Sequence, residues 1–533
     1  MANKERKAEY KPLLYTTTIR NPERIKYNLF ILKKFEKQIL TNEIATSVVA
    51  ELIKHGLYRP TKISDKIKTV WQQTSRGEFA VSVLDDKTVS KIIKENPQKH
   101  KEAGFDCGYP SRFATIFDLA KEFGFVYFKT GERIEFSELG NILVDIVNVQ
   151  IGENNEISLT LKNPEREQPV FLQSFSRSQR ANPFVKVLND NIPLILLLQT
   201  IKLINADPTC GNNCGISRRE IPLLLFWKDN DAASLYVRIK ELREKFGYTP
   251  SDEVIIDICI NEIMQGQYKK FNPHSIMNDY VDEFIRKMRM SGLISLRGAG
   301  RFVDINHNEN NKVEYILNNY SDYERFDDEH DYFSYMSRID KKLIAQKSEV
   351  VSDESTNDLL SGWLKTYGWK KIKEELHILA VKKHSKDDVL KFLAAPVRLE
   401  FLTALAIKSR LPKVIVKPNY SCDDTGLPTS TAGGNKGDIE CFENGNGILV
   451  EVTMAEGRQQ TMMEIWPIER HLIAFINEHN NVPAQCIFIA PTVYSDSKRQ
   501  IDFVKSTNSL TIRDYTIDSW SEYLENVKTL YEV

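Results

Sequence analysis

The sequence predicts a multidomain chain with a mainly α N-terminal region, a helical linker, and a C-terminal α/β domain built on a mixed central sheet. Three observations predict it. At 533 residues the chain is too long for a single core. A helix–glycine–hairpin pattern occurs twice before residue 306. After residue 385, apolar strand-like runs alternate with helical periods around one tight hairpin.

Composition narrows the function. Hydrophobic residues make up 41% and charged residues 27%, as in ordinary soluble proteins. There is no run of about 18 apolar residues, and the opening MANKERKAEYKP lacks the apolar stretch of a signal peptide. A cytoplasmic protein without a membrane partner is therefore expected. The seven cysteines are odd in number and scattered, which argues for reduced thiols rather than a disulfide framework. Cys210 and Cys214, in CGNNC, could supply half a zinc site, but no second Cys or His pair lies nearby to complete four ligands, and a plain loop leading to a helix is the favoured reading. The net charge of −1 provides no global attraction for nucleic acid. Any DNA contact must come from local basic surfaces.

The N-terminal region spans 1–305, with subdomains of about 1–150 and 151–305. In YPSRFATIFDLAKEFGFVYFKTGERIEFSELGNILVD (109–145), an apolar-periodic helix from Ser111 to Glu122 stops at Gly124. Strands FVYF and RIEF follow around the turn KTGE, and a new helix starts at Ser137. In DEFIRKMRMSGLISLRGAGRFVDIN (282–306) the order recurs: helix, Gly292, strand LISL, turn RGAG, strand RFVDI. A helix followed by a two-stranded wing is the winged-helix pattern. Such a unit offers a helix to the major groove and a wing to the backbone. Arg112, Lys129 and Arg133 in the first unit, with Arg286, Arg289, Arg297 and Arg301 in the second, are candidate DNA contacts. For any one of them a solvated helix or hairpin face is the plainer reading. Between the units, Ser217 and Glu220 have capping-box spacing before an apolar helix and read as scaffold.

Residues 306–384 turn acidic and polar (NHNENN, YSDYERFDDEHDY, KSEVVSDEST) around helical stretches, which predicts a helical linker. The C-terminal domain, 385–533, opens at SKDD, with Ser385 as cap and Asp388 three residues on. In the apolar run VLKFLAAPVRLEFLTALAIK, Pro396 starts a helical turn and Glu400 falls in the apolar stripe. A carboxylate there must be paired, bind metal or be protonated.

After the strand LPKVIVKP comes the hairpin GGNKGDIECFENGNGILVEVT (433–453), which carries acids at Asp438 and Glu451. A two-residue Asn444-Gly445 turn sets Asp438 directly opposite Glu451. A four-residue NGNG loop makes them diagonal neighbours on one face. Either register keeps two like charges together, which is unfavourable without a cation between them. Oxygen-only ligands suit Mg²⁺ or Mn²⁺. Glu464 follows in the helical pattern RQQTMMEIWPIERHLIAFI, then CIFIAPTV as a buried strand and SWSEYLENV as a last helix. Glu440, Glu443 and Glu456 read as solvated acids, and Glu464 alone could be a surface acid. The order helix with Glu, strand, hairpin with Asp and Glu, helix, strand matches the core of the PD, D/ExK nucleases, which hydrolyse phosphodiesters with metal assistance.

The sequence resembles the AlwI family of type IIS restriction endonucleases and the related site-specific nicking endonucleases. The similarity covers TTTIRNPERIKYNLFILKKFE, GFVYFKTGERIEFSELG, SGLISLRGAGRFVDIN, LEFLTAL, GDIE, LVEVT and EIWPIERHL. The resemblance implies catalytic acids at Glu400, Asp438, Glu451 and Glu464, with Thr453, Pro467, Arg470 and His471 matching the surrounding letters. It implies a Mg²⁺ cofactor, replaceable by Mn²⁺, held by Asp438, Glu451 and Glu464. The N-terminal region would recognise a short asymmetric site in double-stranded DNA and the C-terminal domain would cut at a fixed offset. Arg20, within TIRNPERI, is a DNA contact by its place in that stretch. A second copy or a smaller catalytic subunit for the other strand, a cognate DNA methyltransferase and a prokaryotic cytoplasm complete the expectation. Thr453 stands where the wider superfamily carries a lysine. The group that activates the attacking water is then open: the metal alone, or His471, Lys436 or Gln460. The competing reading is a non-catalytic winged-helix DNA-binding regulator.

Overall fold

A computed structural model describes residues 9–15, 22–60, 63, 84–151, 157–185, 187–211, 214–266, 272–349, 353–433, 436–457, 460–479, 482–508 and 510–531. Both helix-then-hairpin units form where the sequence places them. In the first, helix α1 (Tyr109–Glu122) carries Pro110 in its first turn. It stops at Gly124, whose φ is +74°. A Cβ there would also lie 2.7 Å from the Met336 Cβ, so both backbone and packing select glycine. The wing is shorter than FVYF and RIEF suggest: β1 (Val126–Tyr127) pairs antiparallel with β2 (Glu135–Phe136) over two residues only. Backbone groups of 131–134 bond instead to residues 38–40, with Leu40 N donating to Glu132 O at 2.8 Å and Ile134 N to Gln38 O at 3.0 Å. Helix α2 (Glu138–Ile146) starts as expected, with Ser137 Oγ accepting from Gly140 N.

In the second unit, a short strand β3 (Ile216–Ser217) precedes α3 (Tyr280–Arg289), β4 (Ile294–Arg297) and β5 (Phe302–Ile305). The sheet order is β3-β5-β4. The expected capping box takes another form because Ser217 belongs to β3 and the helix begins only at Ile221. Ser217 Oγ accepts from Arg219 N, while the buried Glu220 accepts from Ser217 N at 2.7 Å and from Arg243 Nε and Nη2 at 2.7 Å each.

The polar tract between the two ends is divided in its packing. Its first half lies on the N-terminal region: Gln179 N donates to Tyr332 Oη at 3.1 Å, and Tyr127 Oη to Glu329 Oε2 at 3.1 Å. Its second half, α4 (Asp353–Leu364) and α5 (Trp369–Ala380), packs on α6 (Ala395–Arg410). Asn357 exchanges two 3.1 Å bonds with the Val416 backbone, and Trp363 Nε1 donates to Thr425 O at 2.7 Å. Before α6 the cap is Asp387 rather than Ser385: Asp387 Oδ1 accepts from Val389 N and Leu390 N, and Ser385 Oγ accepts from Asp387 N. Only a short 3₁₀ turn forms there, and α6 starts afresh with Pro396 in its first turn.

The central sheet is mixed, as expected. Its strands are β6 (Ile415–Pro418), β7 (Ile439–Glu443), β8 (Asn446–Val452), β9 (Ala484–Ala490) and β10 (Thr511–Thr516), in the order β10-β9-β8-β7-β6. Pairs β6/β7 and β7/β8 are antiparallel, while β8/β9 and β9/β10 are parallel. Parallel neighbours need crossovers, supplied by α7 (Trp466–Glu478) and α8 (Ser495–Asn508). Strand alternation assigns the two faces. Ile448, Val450, Ile487 and Ile489 join the core that contains α6 and α9 (Ile517–Asn526). Leu449, Cys486 and Phe488 join a second core with Leu472 and Phe475 of α7 and Val504 of α8.

Candidate active site

Asn444 and Gly445 have φ of +52° and +81°, the left-handed pair that a two-residue type I′ turn requires. Glu443 then pairs with Asn446, and the ladder runs to Ile439 with Val450. One step further Asp438 faces Glu451, so the two-residue register is the one adopted. Val452 N donates to Asp438 Oδ2 at 2.7 Å, which closes the ladder through a side chain.

Glu451 shares the Leu449 face, beneath α7. From that helix His471 Nδ1 reaches Glu451 Oε1 at 2.9 Å. Glu464 stands in a π-helical turn (Thr461–Ile465) that leads into α7. Thr453 Oγ1 donates to its Oε1 at 3.0 Å. Glu400, only 3% exposed, approaches from α6 and accepts Ala432 N at 3.1 Å. Every residue of α6 from Arg398 to Ile407 is buried, so packing surrounds the helix on all sides there and takes the Glu400 carboxylate with it.

The four acids act on one another electrically. Burial, then the Asp438 charge, pushes the Glu400 carboxyl well above the usual carboxylate range. Burial, then Glu451, does the same to Asp438, and burial, then Glu464, to Glu451. Burial also raises Glu464, opposed by the Thr453 hydroxyl and by His471. Among the described residues, His471 is the only basic side chain paired with any of the four. In the same residues no three His, Cys, Asp or Glu side chains are already drawn close enough to hold an ion. The donor chemistry nonetheless fits a hard divalent cation: carboxyl oxygens, like charges, deep burial and, among the described residues, no lysine or arginine in an ion pair with them.

The other expected residues are dispersed. Gln460 is fully buried and committed, donating to Ala455 O and Thr492 O and accepting Tyr494 N, which removes it as a water-activating group. Lys436 is exposed beside the hairpin. Lys129, Arg133 and Arg301 are exposed on the two wings, Lys129 being 3.2 Å from Glu132 and Arg301 Nε donating to Gly298 O. Arg112 Nε is bonded to Gln98 at 3.1 Å. Arg20 lies outside the described residues. Three arginines expected on DNA are engaged inside the protein: Arg286 donates to Lys391 O, Arg289 to Pro428 O and Asp423, and Arg297 to Asp304 and Asp424. Sequence reasoning missed the CDDTGLP loop, which holds Arg289 and Arg297, although an Asp-Asp-Thr-Gly run is turn chemistry. Asp423 Oδ1 there accepts from the Thr425 and Leu427 amides. Cys210 is buried with its Sγ 3.5 Å from Asp207, as a loop cysteine, with no metal group around it among the described residues.

The AlwI restriction endonuclease family model matches residues 121–394 and 363–517, a span that includes every acid of the cluster. The chain belongs to the AlwI restriction endonuclease family. It is a type II site-specific deoxyribonuclease. No curated relative matches the chain. Several solved structures are similar at low identity, two enzymes among them. The small subunit of the heterodimeric restriction endonuclease R.BspD6I is 20% identical over 30% of this chain and 78% of its own, with a TM-score of 0.25. Restriction endonuclease FokI is 10% identical over 98% and 96%, with a TM-score of 0.24. Superpositions this loose do not establish a common fold. As in any AlwI-family chain, the acids belong to a DNA-cleaving protein, and no helix among the described residues is long and apolar enough to cross a membrane.

Proposed function

We propose that this member of the AlwI family is a type IIS enzyme, or its strand-nicking large subunit, which binds a short asymmetric DNA site and hydrolyses phosphodiester bonds at a fixed offset with Mg²⁺. The observation that carries the reading is the Asp438–Glu451 pair, set face to face by the Asn444-Gly445 turn and crowded by buried Glu400 and Glu464. Asp438, Glu451 and Glu464 would hold the ion. When bound, it supplies charge neutralisation, polarisation of the scissile phosphate and a lowered water pKa. His471 orients Glu451 through its Nδ1 contact. Burial, then the Asp438 charge, raises the Glu400 carboxyl well above the usual carboxylate range in the cation-free protein.

Residues 1–305 would read DNA as two winged-helix units through Lys129, Arg133 and Arg301, with Arg20 as a further contact. Residues 385–533 would cut, with α4 and α5 moving as part of that body. One acid cluster cuts one strand at a time. A second copy or a smaller subunit would therefore be needed for the other strand.

Incubating the protein with supercoiled, site-rich plasmid and Mg²⁺ over a concentration series tests this reading, followed by sequencing of the cut ends. Nicked product at a constant distance from one short sequence is expected. Bound but intact DNA, or cuts within the site, would overturn the offset mechanism.

A further inference from the structure

The position of Thr453 in the sequence is that of the superfamily lysine, and its geometry shows a different task. Thr453 directly follows strand β8, is 8% exposed, and donates its backbone N–H to Ile489 O at 2.9 Å. Its Oγ1 accepts the Ala455 N–H at 2.9 Å and donates to Glu464 Oε1 at 3.0 Å. A hydroxyl has one proton. With the Ala455 amide bonded to the oxygen, that proton is directed at the carboxylate. Glu464 sits on a π-helical turn, a kind of segment often found at functional sites.

We propose that Thr453 is a positioning residue that aims Glu464 at the Asp438–Glu451 pair, so that the hydroxyl acts through a metal ligand rather than on the phosphate or the water. The proposal rests on Glu464 being a metal ligand, as put forward above.

Mn²⁺ binding, measured by calorimetry on the full chain without DNA, tests it, alongside the Mg²⁺ dependence of plasmid nicking. Thr453→Val keeps the shape and removes the hydroxyl, and a loss of about tenfold or more in Mn²⁺ affinity is expected, in the range for groups that orient metal ligands. Thr453→Ser restores wild-type affinity. In a Glu464→Gln background, Thr453→Val causes no further loss. Wild-type Mn²⁺ affinity in Thr453→Val, failure of Ser to rescue, or a loss that adds in full to Glu464→Gln would overturn the proposal. If Glu464→Gln itself leaves Mn²⁺ binding unchanged, the ligand assignment of Glu464 fails, and the positioning role with it. Thermal unfolding checks each variant, and Thr453→Ala replaces Thr453→Val if the latter does not fold.

Discussion

Asp438 faces Glu451 across the hairpin one step beyond the last ladder pair, Val450 with Ile439, and the Val452 N–H holds Asp438 there at 2.7 Å. The relationship follows from a local cause, the Asn444-Gly445 turn, and has a non-local effect. It gathers negative charge on a face that the apolar residues of α7 otherwise seal.

Asp438→Asn keeps the shape and the Val452 bond while removing one ionisable oxygen pair. Nicking is expected to fall by roughly a hundredfold or more. DNA affinity, read by gel shift in Ca²⁺, should stay within a factor of about two if, as proposed, phosphate contacts of the N-terminal region carry binding. Equal losses in both would assign Asp438 a structural role.

Stability without metal should depend on pH through this cluster. Burial and neighbouring like charges raise the proton affinity of Glu400, Asp438 and Glu451 in the folded state, and burial raises that of Glu464 against the Thr453 hydroxyl and His471. The protonated cluster therefore contributes stability that is fully present below the ordinary carboxyl pKa of about 4 and is lost as pH rises through the folded values. The expected result is a Tm that falls with rising pH in EDTA, with a smaller slope in Asp438→Asn. A fixed Mg²⁺ concentration of about a hundred times the Kd at pH ~7 should return about 2.7 kcal/mol there, a shift of a few degrees, and at that same concentration the shift should grow with pH because protons competing for the ligands raise the Kd at lower pH. A pH-independent Mg²⁺ shift would contradict this.

His471→Ala removes the group that orients Glu451, and nicking should drop about 10–100-fold. The Mg²⁺ requirement should move to higher concentration. An unchanged Mg²⁺ profile with a lower rate at saturation would instead place His471 in proton transfer.

Arg297 and Asp424 are 2.6 Å apart, with His307 Nδ1 3.2 Å from the same carboxylate oxygen, so the second hairpin is tied to the loop before β7. Asp424→Asn should lower stability by about 1–3 kcal/mol in urea unfolding. Combined with Arg297→Met, the two losses should fall short of additivity by at least about 0.5 kcal/mol, as for residues in one network. Full additivity would show that the pair is not coupled.

What the sequence disclosed depended on the range of its causes. The Asn444-Gly445 turn, the Gly124 helix stop and the Ser137 cap are local chemistry, and each forms as read. Glu400 was legible because its neighbours at helical spacing are apolar. The destinations of Arg286 and Arg289, and the Asp424 partner of Arg297, were not, since those partners lie more than a hundred residues away and an unpaired arginine in a sequence resembles a DNA contact. Strand β10, TIRDYT, is masked by Arg513 and Asp514, which an edge strand tolerates. Helices α4 and α5 read as linker because polar tracts flank them, although Leu360, Trp363 and Tyr367 form a buried face. Thr453 read as a missing lysine because the hydroxyl's partner, Glu464, arrives from a turn that the helical period did not reveal.

The most direct test is the position of a bound ion. Crystals soaked in Mn²⁺, with anomalous diffraction recorded at the manganese edge, should show a peak between the carboxyl groups of Asp438 and Glu451, within reach of Glu464, and that peak should vanish in Asp438→Asn. Mn²⁺ bound elsewhere, with this cluster vacant at concentrations that support nicking, would contradict the account.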